Sequence, residues 1–206
     1  MRTVTVQSIL LNAASRAGLD GSSIDNLSST TKAIMLSNLD IHLRAAWEFF
    51  DWPDLTVIEQ RTVTTGAGED LYIDKETAAQ TEIGEVFEVF QDNPATHASP
   101  REIGFWLDGS KIRLPSDCPD TVYVRFRTVP TEISATTATA LAQTVPQFLA
   151  DYIKFELTAD LLTEDGQLDK AEVLRQRGET YLVNEMDKIV FQQRQPRRWS
   201  AQVGKY

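Results

Sequence analysis

Chemistry in this chain would have to begin with a small set of nucleophilic and metal-ligating side chains, and the sequence scatters them. His42 and His97 stand far apart, and neither has a Cys, His or carboxylate companion at metal-ligand spacing. His42 falls on the polar side of a helical pattern and His97 lies in a loop between Pro94 and Pro100, so both are expected to be solvated. Cys118 is the single cysteine. With Pro115 and Pro119 around it, a turn is expected there, and it has no second thiol for a disulfide or a metal cage.

Other candidates are equally short of partners. The run Thr163-Glu164-Asp165-Gly166-Gln167-Leu168-Asp169 misses the alternating ligands of a calcium loop, and reads as a turn in which Gly166 stops one helix and Asp169 begins the next. Gly66-Ala67-Gly68 lacks the third glycine and the lysine of a phosphate-cradling loop, and suits a strand connection. With 30 acidic residues, neighbouring carboxylates arise by chance, so no acid/base pair follows from their number. The expectation is a protein without catalytic residues, metal site or cofactor, that is, not an enzyme.

The elements that would position any site fall into three blocks. After Thr5, a good N-cap, Val6, Ile9, Leu10, Ala13, Ala14 and Ala17 recur at helical spacing until Gly18. A second helix carries Leu36, Leu39, Leu43, Trp47 and Phe50 up to Pro53. From residue 55 to 130 the pattern turns to short β-branched and aromatic runs: residues 86–90, a hairpin over 105–114 turning at Asp108-Gly109, and residues 122–128. In the last, Val122, Val124 and Phe126 share one face, while Tyr123, Arg125 and Arg127 share the other. Residues 131–143, rich in Ser, Thr and Ala from Ser134 to Ala142, are expected to be an exposed connection. Thr144-Val145-Pro146-Gln147 has capping-box spacing ahead of a helix bearing Phe148, Leu149, Tyr152, Ile153, Leu157 and Leu161. A last helix runs from about Leu168 to Val190. The expected fold class is α+β: residues 1–54 and 144–190 form a helical bundle, 55–130 an inserted antiparallel β-rich domain, and 191–206 an extended C-terminal tail.

Charge separates the tail from the rest. Residues 191–206 hold Arg194, Arg197, Arg198 and Lys205 and no acid, a charge of +4, which leaves −14 on residues 1–190 within the total of −10. Such a body disfavours wrapping nucleic acid. No apolar run approaches the roughly 18 residues of a membrane span, and no signal-peptide pattern opens the chain, so a cytoplasmic protein is expected. In the tail, Arg194, Arg197, Arg198, Trp199, Lys205 and Tyr206 combine cations with aromatics, the residue types that dominate protein interfaces. A disordered basic end with no partner and nucleic-acid binding by the tail are the alternatives.

The ordered set of segments resembles the head-to-tail connector (adaptor) proteins of tailed bacteriophages, and is similar to the tail tubular protein A type. The resemblance is carried by Trp47-Glu48-Phe49-Phe50-Asp51-Trp52-Pro53, by Ile112-Arg113-Leu114-Pro115 with Val122-Tyr123-Val124-Arg125-Phe126-Arg127, and by Val129-Pro130 and Val145-Pro146. It implies a structural virion protein: a homo-oligomeric ring, commonly a dodecamer, between the portal protein and a downstream neck or tail protein. DNA would pass through without specific binding. The β domain would face the tail side, and the C-terminal segment, here Gln195–Tyr206, would reach onto the portal. The implied location is the virion neck, after assembly in the host cytoplasm. Ser134–Ala142 and Glu164-Asp165 match no part of the family pattern.

Two other readings compete. One is a head-closure or tail-terminator neck protein. The other is an enzyme or carbohydrate-binding module using the β region, in which an exposed aromatic such as Trp106 would stack on sugar rings; the hairpin pattern instead suggests that Trp106 packs in the hairpin core.

Overall fold

A computed structural model describes residues 2–66, 70–77, 80–133 and 138–194, the side chains of 192–194 excepted. The chain is α+β. It divides into two compact units: residues 1–50 together with 132–206, and residues 51–131.

The first unit is helical. α1 (Val6–Arg16) starts where the Thr5 hydroxyl accepts the Ser8 N–H at 3.3 Å, and buries Val6, Ile9, Leu10, Ala13 and Ala14. Gly18, at φ +86°, supplies the left-handed residue that lets the chain turn away. α2 (Ser29–Glu48) is capped by Ser28, whose hydroxyl accepts the Thr31 N–H at 3.0 Å, and it buries Leu36, Leu39 and Leu43. It ends inside the aromatic cluster that was expected to close it, after Trp47 and Glu48. Phe49 is exposed, and Asp51 already belongs to the second unit.

α4 (Gln147–Glu164) packs against α1, α2 and α5 (Leu168–Arg194). That central place explains its composition, because Leu149, Ala150, Ile153, Leu157, Thr158, Ala159, Leu161 and Leu162 are buried round most of its circumference. Gly166, at φ +76°, makes the α4–α5 turn, as its position after the apolar stripe requires. α5 continues four residues past Val190. Gln192, Gln193 and Arg194 are good helix formers, and no breaker occurs before Pro196.

Two expectations about the approach to α4 are corrected. Thr144-Val145-Pro146 makes no capping box; it forms a short strand, β9 (Thr144–Pro146), antiparallel to β1 (Thr3–Thr5). The Gln147 N–H at the start of α4 donates to the Arg2 carbonyl at 2.9 Å, so a strand partner satisfies what a side chain was expected to cap. Nor is the preceding segment wholly an exposed connection. Ile133 and Ala140 are buried, Ala138–Ala142 forms a short helix, α3, and the Ile133 N–H donates to Asp40 Oδ1 at 3.0 Å.

The second unit holds seven antiparallel strands among the described residues: β2 (Thr56–Thr62), β3 (Thr64–Thr65), β4 (Leu71–Asp74), β5 (Ile83–Phe90), β6 (Trp106–Asp108), β7 (Lys111–Leu114) and β8 (Thr121–Thr128). They form two sheets, ordered β2-β8-β5 and β3-β4-β7-β6. Ile73, Ile112 and Leu114 from one sheet share a core with Val86, Val89, Val122, Val124 and Phe126 from the other. The inward face of β8 is the Val122/Val124/Phe126 face anticipated from alternation. A bulge shifts the β5–β8 register between Ile83 and Glu85, and Gly84 sits in it. Arg61 is also enclosed in this unit. Its guanidinium lies over the Phe126 ring, donates to Glu59 and Gln80 at 2.7 Å each, and bonds the Thr81 carbonyl.

No helix among the described residues is long and apolar enough to cross a membrane.

Candidate functional site

The docking residues expected from the sequence follow the end of α5. Arg194 closes that helix; Arg197, Arg198, Trp199, Lys205 and Tyr206 lie outside the described residues. The helix leading to them presents an apolar surface that the sequence reading passed over. Phe191 is 66% exposed, and Val183, two turns earlier, is also exposed. Tyr181, Asn184, Lys188 and Phe191 border an open hollow along these last turns. Tyr181 fixes the base of the surface to α4, its hydroxyl reaching Asp151 Oδ2 at 3.5 Å, while Lys188 pairs with Glu185 at 2.6 Å. An exposed aromatic beside an apolar hollow is a surface of the kind that protein contacts bury. The available signal was simple: Phe191 stands one residue beyond Val190, where the last helix was expected to end.

A second constellation joins α2, α4 and α5, and it corrects the expectation for His42. Instead of being solvated, His42 is half-buried, with Nε2 2.8 Å from Asp160 Oδ2. The same oxygen accepts from Asn38 Nδ2 at 3.0 Å, and Arg175 Nη2 reaches Asp160 Oδ1 and Thr163 Oγ1 at 3.3 Å each. Burial pushes the Asp160 carboxyl up, but hydrogen bonds and charge from His42 and Arg175 outweigh it and hold it below the ordinary value. One turn earlier, Glu156 is only 6% exposed. Burial raises its carboxyl; His42 and Arg175 oppose that rise, and Asp160 and Glu179 add to it. Tyr152, another turn back, is pushed up to about 12 by burial and by Glu156, Glu179 and Asp160.

This arrangement fastens three helices. An ionised carboxylate only accepts, so His42 Nε2 carries the hydrogen toward Asp160, and Asn38 and Arg175 occupy further acceptor positions. The nearby hydroxyl of Thr163 donates to the Ala159 carbonyl at 2.8 Å. The fastening adds polar ties to the apolar contacts that α2 makes through Leu36, Leu39 and Leu43.

The remaining candidates are dispersed. His97 is exposed, with its backbone N–H bonded to Asn93 O at 3.0 Å. Cys118 follows the turn after Pro115, half-buried, and burial raises its thiol with help from Asp117. Among the described residues no group of three or more His, Cys, Asp or Glu side chains is placed to hold a metal ion. Trp106 is not in a hairpin core: it is 54% exposed on β6, an edge strand. No protein-family model matches the chain, and no curated protein matches it.

Proposed function

We propose that the protein is a structural adaptor of a tailed-phage neck, assembling as a ring, a dodecamer by family resemblance, that joins the portal protein to the next neck or tail component. The observation that carries this reading is the way α5 ends. Its exposed Phe191 leads directly into a segment bearing Arg197, Arg198 and Trp199, so an apolar helix surface and a cationic, aromatic chain follow one another.

Two further features support it. A helical unit built from both ends of the chain, with a β unit inserted between them in sequence, matches the order of elements that the resemblance implies. The charge of −14 on residues 1–190 suits a channel that lets DNA slide past without holding it, while the +4 end suits an acidic partner surface. The location that goes with this role is the virion neck.

The test is assembly on the portal. Full-length chain mixed with purified portal should give a ring-shaped complex by negative-stain microscopy and native mass measurement, and deletion of residues 195–206 should abolish it. Within the tail, Trp199→Ala should weaken assembly more than Lys205→Ala, since a buried aromatic anchor is worth about 2 kcal/mol or more. Binding to a tail tube or to another neck protein, with none to portal, would assign the chain to head closure or tail termination instead.

A further inference from the structure

The exposed position of Trp106 has neighbours that give it a chemistry. Residues opposite one another in adjacent strands share a face. By register, Trp106 on β6, Arg113 on β7 and Tyr72 on β4 form one row, and Asp108, Lys111 and Asp74 form the next. On β7 and β4 the opposite face carries Ile112 and Ile73, which are buried in the core, so the Trp106 face is the outer one; on β6, at the sheet edge, Leu107 of the opposite face is itself exposed.

Its charges are already matched. Arg113 donates from Nε to Asp108 at 2.8 Å and from Nη1 to Asp70 at 2.7 Å. The Lys111 ammonium lies over the Tyr72 ring, 3.7 Å from its centroid. Trp106 is therefore an exposed indole whose cross-strand neighbour is a guanidinium paired with two carboxylates, and both carboxylates are more than half exposed.

We infer that this outer face binds a neutral saccharide, one pyranose ring stacking its C–H face on Trp106 while its hydroxyls bond Asp108, Asp70 and Arg113. Three classes of ligand compete, and the charges separate them. A nucleic acid or another polyanion would bring phosphates beside Asp70, Asp74 and Asp108, onto cations that are engaged in pairs. A protein surface that buried Trp106 in apolar contact would also have to desolvate the two half-exposed ion pairs of Arg113, a cost that their mutual attraction only partly repays. A sugar replaces that water with hydroxyl donors at little cost, and covers the indole with apolar C–H groups. The site goes beyond the adaptor role and stands independently of it.

The experiment titrates the full-length chain with neutral malto-, cello-, manno- and N-acetylchito-oligosaccharides, using calorimetry and saturation-transfer NMR, with no portal present. One class should bind, with an affinity that is the same at low and high salt. Trp106→Ala should weaken it by about tenfold or more, Asp108→Asn should also weaken it, and Trp106→Phe should keep most of it. The half-exposed position lets these variants fold, which their melting curves will verify. The inference is overturned if none of the four classes binds, if binding survives Trp106→Ala, or if an oligothymidylate binds through Trp106 in a salt-sensitive way. Because no portal enters the assay, these outcomes leave the adaptor reading to its own test.

Discussion

Asp160 Oδ2 lies 2.8 Å from His42 Nε2, joining α4 to α2, while the second oxygen of the same carboxylate receives Arg175 from α5 at 3.3 Å. A single side chain thus ties three helices. Its carboxyl is held below the ordinary value when folded, so its contribution is present above the unfolded value of about 3.9 and fades as pH falls through the folded one. Asp160→Asn keeps the size but loses the charge. It should destabilise the helical unit by about 2 kcal/mol at pH 7, measured by urea unfolding, with the difference from the unsubstituted chain shrinking in acid.

Glu156, one turn away on the same helix, should behave in the opposite way. Its carboxyl is raised by burial, with His42, Asp160, Arg175 and Glu179 facing it. A raised acid is favoured in the folded state while protonated; that advantage is complete below the unfolded value of about 4.3 and is lost as pH rises through the folded one. Glu156→Gln is neutral at every pH. It should therefore gain about 1 kcal/mol at pH 7 and nothing in strong acid, as the relief of one desolvated charge requires. A stabilised Asp160→Asn beside a destabilised Glu156→Gln would reverse the assignment of these two roles.

Gly84 offers a test confined to the β unit. A Cβ at this position would meet the Arg127 carbonyl oxygen at 2.8 Å, and a backbone atom of the paired strand has little room to yield. Gly84→Ala should destabilise this unit by about 1–3 kcal/mol. Hydrogen exchange should show faster opening along the β5–β8 ladder while α4 and α5 keep their protection.

Where local chemistry sets the outcome, the sequence was legible. Thr5 and Gly18 bracket α1, and the alternation in residues 121–128 separates core from surface because a strand has only two faces. What it hid depends on distant partners. β1 and β9 are three residues each, too short for periodicity to register, and each exists because the other is present. The His42 partner is 118 residues away, so a helical wheel could place the imidazole on the polar side but could not supply the carboxylate. Trp106 is different, since the information was there. It alternates in phase with Asp108, and that parity put it on the polar face of the hairpin.

Phe191 connects the structure to the proposed function most directly, because its exposure makes it separable from folding. A side chain that is 66% exposed contributes little to the helical unit, so Phe191→Ser should leave the unfolding free energy measured in urea within about 0.5 kcal/mol of the unsubstituted chain. Assembly on the portal should weaken by about tenfold or more, the loss associated with an aromatic anchor. Val183→Ser, two turns earlier on α5 and also exposed, should weaken assembly less, since valine buries a smaller area. The comparison is made by native mass measurement of portal mixtures, with the deletion of residues 195–206 as reference. If both serine variants assemble normally while the deletion does not, the contact belongs to the tail alone and α5 only delivers it. If the deletion also assembles normally, the docking surface lies elsewhere on the chain, and the reading that joins α5 and its tail into one portal contact is lost.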